Sequence, residues 1–247
     1  MINTRAAYEA KRLHEYNIFK KPLLITIAVI GLIWLKDLIQ PVFFHESILN
    51  LTKSIPAMFL TAALIGLAYV VMVALLLRLN KEKYSDLGFS GDHLQKQILN
   101  GLLYGTLIFI LQTFLLSPLV DALLPNTASQ GMGPARMFAR LFYLPILIAL
   151  TIFKGGMAEE LWRVFVLTRF RRVWGKAGLI FALAASSLLF GLGHLYQGLG
   201  SAISIAVVGF LYALVFLRKG KAWEAVVAHA WYDVVSVVLG FIIYYGK

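Results

Sequence analysis

The chain has 247 residues, of which 60% are hydrophobic and only 14% are charged, a balance that excludes an ordinary soluble domain. A formal net charge of +11 would suggest nucleic acid in a soluble protein. Here the basic residues cluster between apolar runs, where they set topology and meet anionic lipid, so the expected partner is the bilayer and no nucleic acid is expected. The chain has no cysteine, which excludes disulfides, thiolate metal sites and a cysteine nucleophile.

The first segment, Met1–Lys21, is basic and polar throughout, so no signal peptide is expected. Tyr8, Leu13, Tyr16 and Phe19 alternate with Arg5, Lys11, Arg12, Lys20 and Lys21, which reads either as a basic helix in the headgroup layer or as a solvated tail. A first span is expected from Pro22 to Ile39, with Lys36 and Asp37 as an interfacial pair near its end. The second, Pro56 to Leu77, contains no charge and is closed by RLNKEK. Tyr84 to Gln97 reads as an extramembrane loop with a short amphipathic helix, and a third span covers Ile98 to Leu116. Leu123 to Arg136, rich in Gly, Pro and small polar residues, is a loop too short to divide two domains.

Met137–Phe153 and Met157–Phe170 are both apolar, and Lys154, Gly155 and Gly156 break the run between them. The last apolar runs are Ala177–His194, Ser201–Leu217 and Ala222–Tyr245. Lipid offers the backbone no hydrogen-bond partners, so the expected fold is a single all-α integral membrane domain, a polytopic bundle of about seven to eight transmembrane helices. The short alternating strands of a β-barrel are absent from the pattern. If Met137–Phe170 crossed twice, RFRRVWGK would lie opposite the basic N-terminus. A single crossing, with a partial or broken segment around Gly155 and Gly156, places the N-terminus, RLNKEK, RFRRVWGK and RKGK on one side. That side is expected to be the cytoplasm, in a multi-pass protein of the cell membrane if the source is bacterial.

The apolar stretch MAEELWRVFVLTRF, Met157–Phe170, carries charges that cost a few kcal/mol each in lipid unless paired or hydrated, which makes it a functional-site hypothesis by default. From Ala128 to Lys247 the only acidic residues are Glu159, Glu160, Glu224 and Asp233. Glu224 reads as an interfacial charge beside Lys221. The other three, with His194 and His229, fall in the local sequences AEELWR, FGLGH and HAWYD. On a helix Arg163 is one turn from both Glu159 and Glu160, so it can pair with one carboxylate and leave the other to act as a general base. The competing reading is a structural Glu–Arg pair between helices. His194 follows Gly191 and Gly193, which permit close helix approach or a kink; by itself it reads as an interhelical hydrogen-bonding group. His229 and Asp233, four apart, share a helix face, either serving a wet pocket or with Asp233 orienting His229. The expectation is that Glu159 or Glu160, His194 and His229 converge on one water.

The order E-E-x-x-R, then F-x-x-x-H from Phe190 to His194, then H-x-x-x-D from His229 to Asp233 resembles the CPBP family, the CAAX-processing and bacteriocin-processing intramembrane proteases, also called the Abi family. The resemblance covers about Gly155 to Gly240, the expected catalytic core. It implies a multi-helix membrane bundle that hydrolyses peptide bonds within the bilayer, acting on membrane-embedded or lipidated protein substrates. By resemblance, Glu159 and His194 activate a water, Glu160 is a further catalytic carboxylate, and Arg163 and Phe190 support them. His229 and Asp233 steady the oxyanion or join the polar site.

The first motif is one residue shorter than the family pattern, with only Leu161 and Trp162 between Glu160 and Arg163. Aligned on the glutamates, Glu159 is the base and Arg163 comes one residue early; aligned on the arginine, Ala158 falls at the base position. Glu159 is the expected base, with Glu160 next. His194, His229 and a carboxylate also form an alternative zinc set with an open water position, and the sequence does not separate zinc from a metal-free glutamate mechanism. Two other function classes fit buried Glu, His and Asp: a proton-coupled transporter, and an inactive scaffold that binds membrane partners through the same pocket.

Overall fold

The computed structural model describes residues 20–43, 54–124 and 135–246, and every regular element among them is helical. The headgroup helix or tail expected before Lys20, and most of the Leu123–Arg136 loop, lie outside the described residues.

Helix α1 is Lys20–Phe43 and α2 is Ile55–Leu79. Ser54 caps α2, its side chain accepting from the Ala57 amide, with Pro56 in the first turn, where its missing N–H is no loss. Helix α3, Leu94–Leu111, passes through a π-turn at Gln112–Leu116 into Ser117–Leu123. A one-turn helix, Ala135–Phe138, precedes α4, Tyr143–Leu150. Helix α4 runs into a π-helical segment, Thr151–Glu159, and then into α5, Glu160–Leu192. Helices α6, Leu199–Lys219, and α7, Ala222–Tyr245, complete the bundle.

Six of these stretches are long and apolar enough to cross a membrane, fewer than the seven to eight expected from sequence. The difference lies in the 50 residues Tyr143–Leu192, which form one helical stretch. Lys154, Gly155 and Gly156, read in sequence as a break, are instead absorbed by π-helical hydrogen bonding, which takes extra residues without ending a helix. The chain turns at Trp174 and Gly175. Gly175 has φ 60° and ψ −137°, a region that a side chain bearing Cβ avoids. Beyond this kink α5 folds back on itself. The rings of Phe170 and Phe181 are 5.6 Å apart, and the Arg163 guanidinium lies 4.5 Å over Phe190, although residues 163 and 190 would be roughly 40 Å apart on a straight helix.

Several basic segments gather at one end of the bundle. Asn80 donates to the Thr26 hydroxyl at 2.7 Å, tying the end of α2 to the start of α1. Glu82 pairs with Arg169 and Arg172, and Lys221 donates to the Ser90 hydroxyl at 3.2 Å. RLNKEK, RFRRVWGK and RKGK therefore share the end at which α1 begins, the arrangement that a single crossing by Met137–Phe170 requires. Glu224, read from sequence as an interfacial charge, is buried there instead. It accepts from Asn100 at 2.8 Å and pairs with Arg218 at 3.2 Å.

Large apolar side chains such as Leu32, Leu64, Leu103, Phe114 and Ile242 face outward, as a lipid solvent requires. The interior combines an apolar cluster around Val164, Phe165, Leu167 and Tyr212 with buried charges. The π-segment lies directly against α7: a Cβ added at Gly156 would sit 2.5 Å from that of Ala230. The kink yields a prediction. Gly175→Ala should lower the thermal unfolding midpoint in detergent, by a cost of about 1–3 kcal/mol for forcing a side chain into that backbone conformation. Gly31→Ala, in a helix interior with open space around it, should leave the midpoint unchanged or raise it slightly.

Candidate active site

Glu159 ends the π-segment and Glu160 opens α5, so the two neighbours face different surroundings. Glu160 points into the bundle and is fully buried. Its Oε1 accepts from Arg163, three residues on, and from His229 Nδ1 at 2.8 Å. Glu159 is bound instead by Lys154, whose Nζ lies 2.6 Å from Glu159 Oε1. Five residues on an α-helix correspond to about 140° around the axis, too far for this contact. The π-segment closes i→i+5 hydrogen bonds and brings residues five apart onto one face.

His229 on α7 is buried behind Glu159. An ionised carboxylate only accepts, so His229 Nδ1 carries the proton it shares with Glu160. Nε2 faces Asp233 Oδ2 at 3.6 Å and Glu159 Oε2 at 3.9 Å. The imidazole stacks on Tyr212, 4.4 Å away, and meets the edge of Phe190 at 5.7 Å. Gly155 is needed for this approach, because a Cβ there would run into the Asp233 carboxylate and crowd His229 Nε2. The structure thus brings Glu159, Glu160, Arg163, His229 and Asp233 into one polar cluster.

His194 is placed differently. It follows the end of α5, where its Nδ1 donates to the Phe190 carbonyl at 2.8 Å, leaving Nε2 with a lone pair in the neutral ring. The Phe190 ring stands 5.0 Å from His194 and 5.7 Å from His229, so it touches both imidazoles. What joins His194 to the cluster is a cavity of about 270 Å³ between α1, α2 and α5. Glu159, Lys154, Arg163, Phe190 and His194 line it, whereas Glu160, His229 and Asp233 are not among its lining residues.

The zinc alternative can be tested on this geometry. Among the described residues no group of three or more His, Asp or Glu side chains is placed to hold a metal ion. The Lys154 ammonium already occupies the cationic place beside Glu159. The donor set does not fit zinc, and no step is derived through it.

Sequence reasoning missed four contributors. Lys154 was read as part of a break, since nothing in the sequence marks a π-helical register. Lys36 and Asp37, paired at 2.7 Å, line the cavity wall formed by α1 rather than marking only an interface. Tyr196 also lines the cavity, beyond the FGLGH motif.

Compared with known proteins, residues 140–235 match a family model. The match is to Rce1-like, type II CAAX prenyl endopeptidase Rce1-like. It is the group that the three motifs resemble, and it supports a CAAX-type endopeptidase of the membrane. No curated protein and no solved structure matches the chain. The Rce1-like stretch contains every residue of the polar cluster, together with Lys154, Phe190 and His194. Helices α1 and α2, which supply the opposite wall of the cavity, lie outside it.

The Glu160–Arg163 pair yields a second prediction. Arg163→Leu strips a buried carboxylate of its cation and should destabilise the protein by about 3–5 kcal/mol. The check is chemical denaturation in detergent. Tyr84→Ala, an exposed change at the bundle end, should leave the denaturation midpoint nearly unmoved.

Proposed function

We propose that the chain is an intramembrane endopeptidase of the CAAX-processing type, in which Glu159 and His194 activate a water that hydrolyses a peptide bond. One observation carries the proposal. Of the carboxylates in the polar cluster, Glu159 alone lines the cavity, and it shares that cavity with His194. The family match over residues 140–235 supports the same reaction class.

In this reading a water sits between Glu159 and the Nε2 lone pair of His194. Glu159 removes one proton as the oxygen attacks the scissile carbonyl, and His194 orients the water through the other. When the tetrahedral intermediate collapses, the protonated Glu159 gives its proton to the departing amine nitrogen. Glu160 is held by Arg163 and His229 and is not free to do this. His229 and Asp233 act from behind, His229 orienting Glu160 through Nδ1 and both fixing the pocket in which the Glu159 side chain stands. Met58, Ile65, Trp34 and Leu189 supply an apolar lining suited to a membrane-embedded or lipid-modified peptide. The prenylated substrates named by the matched family are of this chemistry.

The test uses purified full-length protein in detergent, incubated with a prenylated CAAX peptide and with unmodified membrane-spanning peptides. Cleavage should be read by mass spectrometry for wild type, Glu159→Gln and His194→Ala. Each substitution should lower the rate by about 10²–10⁴-fold, the scale of a lost general base. Cleavage indifferent to both substitutions would remove the assignment. Proton-coupled uptake into vesicles that fails in the same variants would replace it with transport.

A further inference from the structure

His229 and Asp233, expected to steady the oxyanion, are not among the residues that line this cavity. An ionised Asp233 would in any case repel an oxyanion. A different group on the cavity wall has the required charge and position. The Lys154 ammonium lines the cavity and lies 2.6 Å from Glu159 Oε1. Arg163 also lines the cavity, but its guanidinium is bound to Glu160 and lies over Phe190.

We propose that Lys154 is the oxyanion-stabilising residue of this site, placed there by the π-helical register of Thr151–Glu159. The inference rests on the endopeptidase reading above. Before reaction the ammonium is paired with the Glu159 carboxylate. The attacking water gives a proton to Glu159, which becomes neutral, and its oxygen bonds to the carbonyl carbon. The carbonyl π pair moves to oxygen, so one negative charge leaves Glu159 and appears on the substrate. Lys154 follows the charge, exchanging one anionic partner for another without moving far. Collapse breaks the C–N bond, the amine takes the proton from Glu159, and the original ion pair is restored. A cation that is neutralised in the resting state and released as the oxyanion forms binds the transition state more strongly than the substrate, which is the condition for raising kcat.

The experiment compares kcat and KM for a prenylated CAAX peptide, and also the affinity of a phosphinate isostere of that peptide, whose tetrahedral anion stands for the intermediate. Lys154→Met should lower kcat by about 10²-fold with KM unchanged, and Lys154→Arg should recover part of the loss. Glu159→Gln, which mimics the protonated base and leaves Lys154 in place, should abolish turnover yet bind the phosphinate at least as tightly as wild type does. Adding Lys154→Met to Glu159→Gln should remove that affinity. Phosphinate binding that is weaker in Glu159→Gln than in wild type would overturn the role of Lys154, even if Lys154→Met proved too unstable to purify. The same holds for a Lys154→Met enzyme with wild-type kcat or with its whole loss in KM. Inactive Glu159→Gln beside an undiminished Lys154→Met would overturn only the lysine role. Wild type that neither cleaves the peptide nor prefers the phosphinate to the parent amide would overturn the endopeptidase reading as well.

Discussion

An ion left without a counter-ion in an apolar bundle costs several kcal/mol, and the interior of this protein is arranged to avoid that cost. Glu160 is matched by Arg163 and His229, Glu159 by Lys154, Glu224 by Arg218 and Asn100, and Glu82 by Arg169 and Arg172. The pairing also sorts the carboxylates by what they are able to do. Glu160 is held from two sides in a dry pocket and has no route to solvent. Glu159 is held from one side by Lys154 at the wall of a cavity, which is what its proposed role as base requires. The identity and reach of the nearby cation, more than the carboxylate itself, separates a structural acid from a reactive one.

The π-segment does for the backbone what the ion pairs do for charge. The first motif is one residue short of the family pattern, which in an unbroken α-helix turns every group on one side of the gap by about 100°. Here the glutamates stand where a nine-residue π-segment meets an α-helix. The wider turn rotates Glu159 relative to Glu160, so Arg163 is free to take Glu160 at i, i+3 while Glu159 meets Lys154 at i, i+5. Gly155 and Gly156 serve the same geometry, because only residues without a side chain let this segment lie against His229, Ala230 and Asp233 of α7.

Much of this was legible in the sequence. The charged positions in otherwise apolar runs named Glu159, Glu160, Arg163, His194, His229 and Asp233 without any coordinates, because unpaired charge in lipid is too costly to be incidental. The helical class followed from hydropathy, and the shared end of the basic segments followed from the distribution of Lys and Arg. Properties of the backbone were not legible. Lys154-Gly155-Gly156 has the composition of a break, and only hydrogen-bond register separates a break from a π-helix. The reversal at Gly175, by contrast, falls in RFRRVWGK, the basic segment that the sequence already sets between two apolar runs. Motif spacing names the two imidazoles but says nothing of the Phe190 ring that touches both.

That ring has a consequence for how the site is divided. Phe190 carries the Arg163 guanidinium over one face, presents its edge to His229, and through its carbonyl fixes the tautomer of His194. Glu159, Lys154 and His194 line a cavity with it, and Glu160, His229 and Tyr212 form a buried cluster beside it. Charges in the buried cluster interact through little solvent, so their arrangement is rigid and their pairing strong. Charges at the cavity interact in the presence of water, which is where a proton can be given up and returned. The proposed hydrolysis needs both conditions at once: a dry framework to hold ionised groups at fixed positions, and a wet surface on which Glu159 changes its charge. On that proposal the boundary between them falls between two consecutive residues, Glu159 and Glu160.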